Sequence, residues 1–257
     1  SETLNIDYRT PKTLKDNHVE YEFLKELNAD LAIVCAYGQI IPENFLNLTK
    51  KGFVNIHASI LPSWRGAAPI QRSIMNLDPE TGISIMKIKK ELDSGPVSNI
   101  YKIKIDQNQN AQEISEKLSA LAAEKILDNV DDILEDKAKF IDQDHSKATY
   151  AKKIDKEESR IDWDEDASKI IGKINGLFPS PGASFSFNGE RYKILKAEIG
   201  NGIGQVGEII SNQLEVACNK NQSIKILEIQ RQGKRPQKIS EFMLGSQIKK
   251  GSKLSNV

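Results

Sequence analysis

The feature that most constrains this chain is a change of pattern near Asp142. Before it, short apolar runs alternate with stretches of helical spacing; after it come brief alternating runs cut by turns. Asp16-Asn17 supplies a cap for a helix whose apolar face would be Val19, Tyr21, Phe23, Leu24 and Leu27. The continuous apolar run at 31–36 reads as a strand buried on both faces. A short helix follows at 43–48, then a strand at 53–57. A helix at 67–76 tolerates Pro69 in its first turn. Strands at 82–88 and 97–105 precede a long helix from Ala111 to about Lys137, its core stripe set by Ile114, Leu118, Leu121, Ile126, Val130 and Ile133. That order predicts an α/β domain with a largely parallel sheet. Ligands of such sheets bind at the carboxyl ends of the strands.

Beyond Asp142 a polar, charge-rich stretch suits a linker. A helix at 167–178 then leads to short strands at 183–187, 191–197, 206–211, 214–218 and 224–229. Asn188-Gly189, residues 200–202 and 219–221 mark their turns. Five short strands predict a small barrel, for which the OB-fold is the commonest five-stranded design. A last short helix is expected at 239–244. The division is therefore 1–142 α/β, 143–164 linker and 165–257 OB-like.

Composition narrows the class. The 39% apolar and 28% charged content is that of a globular protein. No apolar run reaches the roughly 18 residues of a membrane span, and Ser1-Glu2-Thr3-Leu4-Asn5 has no secretory character. Cys35 and Cys218 each sit in apolar runs, which predicts buried free thiols and a cytoplasmic location. Their spacing, with only three histidines, excludes a structural zinc site, and no metal is expected. The net charge is zero but uneven: 18 basic against 13 acidic residues from Lys152 onward, and 18 against 23 before it. From Gln230 to the end, Arg231, Lys234, Arg235, Lys238, Lys249, Lys250 and Lys253 face Glu241 alone. A polyanionic partner for the C-terminal half follows from that asymmetry, as does the plainer reading of a solvated Lys-rich surface.

Asn55 and His57 lie two residues apart on a predicted strand, so both side chains share a face. Taken alone, Asn-x-His is more readily a turn cap and a core histidine. Asp93, in the loop at 89–96, would converge on the same sheet edge. Together the three suit acyl transfer to an amine. The Asn55 amide donates to an oxyanion, His57 relays a proton, and Asp93 orients the imidazole or a water. No serine or cysteine stands as a nucleophile, so the acceptor amine attacks directly. Ser59, Ile60, Leu61 and Pro62 supply backbone donors and apolar surface for a flat ring, with Tyr37 and Gly38 counted by their position after the first strand. Arg65 could hold an anionic group or be a surface residue before a helix.

These residues carry a resemblance. Asn55-Ile56-His57-Ala58-Ser59-Ile60-Leu61-Pro62, then Arg65-Gly66-Ala67-Ala68-Pro69-Ile70-Gln71, with Leu92-Asp93-Ser94-Gly95 downstream, resemble the formyltetrahydrofolate-dependent formyltransferase family. Thr149-Tyr150-Ala151-Lys152-Lys153-Ile154 and Pro179-Ser180-Pro181-Gly182-Ala183 extend the likeness through the second half, toward its tRNA-acting members. The resemblance implies a Rossmann-like N-terminal domain and an OB-like C-terminal domain. It implies transfer of a formyl group from 10-formyltetrahydrofolate, as co-substrate, to the α-amino group of initiator methionyl-tRNA. Asn55, His57 and Asp93 match the family's catalytic residues, and Ser59–Pro62 its folate segment. Arg65, Lys152, Lys153, Arg231, Lys234 and Arg235 are the candidates for tRNA contact. A monomer without membrane contact is expected. The family pattern opens with a strand and a Gly-Thr-Pro loop, then a second strand and a basic loop, which this sequence does not contain. A preceding segment of about 70 residues, the size of such units, is therefore expected. Two alternatives stay open here: an amino-sugar nucleotide as acceptor, and a non-catalytic RNA-binding protein.

Overall fold

The computed structural model describes residues 6–255. In chain order these form α1 (His18–Glu26), β1 (Ala32–Cys35), α2 (Glu43–Leu46), β2 (Phe53–His57), β3 (Arg65–Gly66), α3 (Pro69–Met75), β4 (Glu80–Lys87) and β5 (Val97–Lys104). There follow α4 (Ala111–Leu134), β6 (Tyr150–Ala151), α5 (Ala167–Leu177), β7 (Ser184–Phe187), β8 (Glu190–Ile199), β9 (Glu215–Cys218), β10 (Gln222–Arg231), β11 (Gln237–Lys238) and α6 (Ile239–Gly245). Two compact units emerge, neither continuous in sequence. The first is Ser1–Arg65, Ile83–Tyr101 and Leu121–Thr149; the second is Gly66–Gly82, Lys102–Ala120 and Tyr150–Val257. Among the described residues, no helix is long and apolar enough to cross a membrane.

The first unit is organised by β2. The sheet runs β1-β2-β4-β5. Strand β1 is parallel to β2, with Val34 opposite Asn55, whereas β4 is antiparallel, with Met86 opposite Asn55 and Ser84 opposite His57. The sheet is thus mixed, not largely parallel as expected. After β2 the chain passes through β3 and α3 and re-enters the sheet from the end it left, so β4 runs antiparallel. Val54 and Ile85 point to the side where Ile133 of α4 packs, joined by Ile126 and Phe140.

Two expectations for this unit are corrected. Strand β1 is not buried on both faces: its residues alternate between half-buried and exposed, and Ile33 and Cys35 are open. It is an edge of the described sheet, so only one side of it is paired. Cys35 is accordingly a free, exposed thiol, while Cys218 is buried as expected. Asn17 does cap α1, accepting from the Glu20 amide at 3.2 Å. The expected apolar face is only partly used, however. Val19 and Leu27 are exposed, and Tyr21 alone stacks edge-on against buried Phe45, 5.4 Å away.

In the second unit, β10 pairs along one edge with β8 and along the other with β9 and then β11, all antiparallel. Strand β7 adds to β8 through a turn at Asn188-Gly189, where both residues have positive φ. The residues at 206–211 form only bridges, Glu208 with Lys253 and Ile209 with Val216. The fifth strand is Gln237–Lys238 instead. Trp163, Ile170, Ile174, Leu177, Ile194, Ile224, Ile226 and Ile229 are buried together in this unit's core. Helix α3 belongs here because α5 lets it come close: a Cβ on Gly176 would sit 2.6 Å from Met75 Cγ. The stretch expected as a linker is turns and 3-10 segments carrying buried Gln143, Ala151, Ser159, Ile161 and Trp163.

Candidate active site

Asn55 and His57 are the third and last residues of β2, on the face opposite Val54. His57 is buried, and its Nε2 lies 2.9 Å from the Trp64 carbonyl. A carbonyl only accepts, so this contact requires Nε2 to carry a proton. The other ring nitrogen, Nδ1, is 3.7 Å from Asp93 Oδ2. That is ion-pair range but too long for a direct hydrogen bond. Asp93 sits at φ 47°, in the left-handed region, in the loop between β4 and β5. Asn55 is half-buried, and its side-chain amide makes no hydrogen bond among the described residues. A strand end therefore presents an uncommitted amide and an imidazole beside a carboxylate.

The loop after β2 is tied down from below. Ser84, directly across from His57 on β4, donates its Oγ to the Ser59 carbonyl at 2.7 Å and accepts from the Leu61 amide at 3.1 Å. Ser59 Oγ turns inward to the Ser63 carbonyl at 2.6 Å, and its amide returns to His57 O. Ser59 and Leu61 are buried, while Ile60 and Pro62 keep partial exposure. The segment at 59–62 thus offers apolar surface from Ile60 and Pro62 more than free hydroxyls. Tyr37 and Gly38 follow β1 and are exposed. Because β1 and β2 are parallel, they leave the sheet at the same end as His57. This end of the sheet therefore presents apolar surface together with the free Asn55 amide, a donor suited to a carbonyl oxygen.

The loop bearing Asp93 is held equally firmly. Gly95 approaches β4 so closely that a Cβ would lie 1.8 Å from the Lys87 carbonyl, so no other residue fits. Gln143 donates to the carbonyls of Asp93 at 2.8 Å and Gly95 at 2.7 Å. Its own oxygen accepts from Arg65 Nε at 3.1 Å and Nη2 at 2.7 Å. Ser84 and Gln143 were not singled out by sequence. The register of β4 on β2 would have revealed Ser84, but nothing local marks Gln143.

The candidate tRNA residues separate. Arg65 is 3% exposed and its guanidinium is spent on Gln143 and His145, so it is withdrawn from that set. Lys152 and Lys153 are exposed, and their carbonyls accept from Arg72. Arg231 pairs with Glu190 and Arg235 with Glu241; Lys234 is exposed beside them around a cleft of about 480 Å³.

Comparison with known proteins adds what geometry alone does not. The family model described as formyl transferase matches residues 2–130, and that described as formyl transferase, C-terminal domain, matches 153–247. A methionyl-tRNA formyltransferase from Pelagibacter ubique (strain HTCC1062) is 65% identical over 257 residues, covering all of this chain and 83% of that protein. Among solved structures, HypX from Aquifex aeolicus in complex with tetrahydrofolic acid superposes with a TM-score of 0.68 at 18% identity, over 91% of this chain and 41% of that one. WlaRD, a sugar 3N-formyl transferase, gives 0.67 at 21% identity, over 82% and 77%. At those identities the two structures speak for the fold alone.

Proposed function

This chain belongs to the formyl transferase family, and on that premise we propose that it moves a formyl group from 10-formyltetrahydrofolate to the α-amino group of methionine carried by initiator tRNA. The acceptor is supported by the full-length likeness to a methionyl-tRNA formyltransferase. An amino-sugar acceptor and a non-catalytic RNA-binding role are disfavoured by the same likeness. The observation that carries the site is the His57–Asp93 pair beside the uncommitted Asn55 amide.

In this reading the amine attacks the formyl carbon, and the oxygen of the tetrahedral intermediate accepts a hydrogen bond from Asn55 Nδ2. The attacking ammonium must lose a proton and the folate N10 must gain one as its bond to the formyl carbon breaks. His57 Nε2 is committed to Trp64 O, so the exchange runs through Nδ1, where the added charge lies against Asp93. The folate supplies the formyl group; Ile60, Pro62 and Tyr37 offer it apolar surface. We read residues 1–142 as the catalytic domain and 165–257 as an OB-like domain for the tRNA. Lys152, Lys153, Arg231, Lys234 and Arg235 would meet phosphates, the two ion-paired arginines exchanging their carboxylates for them.

The test is formylation of methionyl-tRNA with 10-formyltetrahydrofolate. Asn55→Ala, His57→Ala and Asp93→Ala should each lower kcat by about 100-fold or more, as removing an oxyanion donor or proton relay does elsewhere. Near-normal rates in all three would overturn the assignment.

A further inference from the structure

We infer that the buried Arg65–Gln143 pair is a positioning device that sets the separation of His57 and Asp93; this rests on Asp93 being a catalytic carboxylate. The argument begins with hydrogen-bond capacity. A primary amide has two N–H donors and an oxygen with two lone pairs. In Gln143 all four are used: both hydrogens go to the carbonyls of Asp93 and Gly95, and both lone pairs to the Nε and Nη2 of Arg65. Guanidinium cannot accept and a carbonyl cannot donate, so the amide has only one orientation that works. Gln143 is 8% exposed and Arg65 3% exposed, so neither has water as an easy substitute.

The pair reaches both halves of the reactive couple. Gln143 grips the backbone of Asp93 itself, at a residue whose left-handed φ leaves the loop dependent on outside support. Arg65 directly follows Trp64, whose carbonyl holds His57 Nε2. Thr149 fastens that same short segment, its Oγ1 accepting from the Trp64 amide at 2.9 Å and its carbonyl from the Arg65 amide at 2.9 Å. A run from imidazole to Trp64, Arg65, Gln143 and the Asp93 backbone therefore closes on the imidazole again through the Asp93 carboxylate. The 3.7 Å spacing between Nδ1 and Oδ2 is the open link in that ring. Its length follows from the other links, of which the Arg65–Gln143 and Gln143–Gly95 bonds are buried and the His57–Trp64 and Gln143–Asp93 bonds part-buried.

Gln143→Glu keeps an acceptor for Arg65 but sets carboxylate oxygen against the carbonyls of Asp93 and Gly95. Gln143→Met keeps length and removes all four bonds. Both should lower kcat by about 10- to 100-fold, the effect of misplacing a reacting group by an ångström, while KM for folate and for tRNA changes less than about twofold. In an Asp93→Asn background the same two substitutions should have little further effect on the residual single-turnover rate. Circular dichroism and thermal unfolding confirm that each variant is folded, and one folded variant suffices. A normal kcat in a folded Gln143 variant, or an equal loss with and without Asp93, overturns the inference. A normal kcat in Asp93→Asn instead overturns the reading it rests on.

Discussion

The two units differ in what their buried polar groups hold. The second has one continuous apolar core, in which Trp163 and four strands of aliphatic side chains exclude water. Its buried carboxylate, Glu215, is satisfied locally by Ser223 Oγ at 2.7 Å and the amides of Gly202 at 2.8 Å and Asn201 at 3.1 Å. The first unit also buries apolar side chains, among them Phe45, Phe53, Ile56, Leu61 and Met86, and with them His57, Ser59, Ser84, Ser94, Arg65 and Gln143. Interior polarity there is spent on fixing loops, not on filling space. Apolar packing gives stability that tolerates rearrangement, whereas a saturated polar network admits one geometry. The unit that carries Asn55, His57 and Asp93 has such a network around them.

That contrast can be broken from either side. Trp163→Ala should destabilise the second unit by about 3–5 kcal/mol, as truncation of a fully buried Trp does. Thermal unfolding reads this directly, and a shift of under a degree would mean the core is not what holds the unit. Ser84→Ala should cost less in stability, about 1–3 kcal/mol for orphaning the Leu61 amide and the Ser59 carbonyl. It should nonetheless lower kcat by about tenfold, because the folate segment loses its anchor. Unchanged kcat would place the Ser59–Pro62 segment outside the reaction.

A third variant sharpens the role of buried charge. Burial pushes the Glu215 carboxyl upward, but Ser223, the Gly202 and Asn201 amides and the Lys225 charge outweigh it and hold the carboxyl below its ordinary range. A depressed folded value means stability that is full above the unfolded carboxylate pKa, about 4.3, and lost as pH falls through the lower folded value. Thermal unfolding of the protein should therefore steepen below about pH 4, and Glu215→Gln should flatten that part of the curve. At the small end, Lys50→Ala removes an exposed ion pair with Asp30 and should cost under about 1 kcal/mol.

How far the sequence disclosed this depends on the range of the interaction. Strand β2 was legible to its last residue because alternation is a nearest-neighbour signal, and α4 because its stripe repeats through the whole helix. Strand β1 was misread because a continuous apolar run says that side chains are apolar, not that anything covers them. The run at 206–211 has strand-like composition and bonds to 215–217 and 251–254, yet its ladder is interrupted into the isolated bridges Glu208–Lys253 and Ile209–Val216. Arg65 looked like a surface cation for the same reason. Its burial depends on Gln143, 78 residues away, and Gln143 binds Asp93 from 50 residues away. Such bonds leave no period in the chain. Asn55, His57 and Asp93 were singled out from residue type, strand-end position and the resemblance, and the structure places His57 and Asp93 3.7 Å apart; the bonds of Ser84 and Gln143 beside them were not legible.

The most direct test of the account is a double-mutant cycle on His57 and Asp93 in methionyl-tRNA formylation. If the two act as one unit, His57→Ala/Asp93→Ala should lose no more than about the larger of the two single losses in kcat. If the two single losses instead multiply, His57 and Asp93 act independently, and the pairing at the end of β2 is not the catalytic feature.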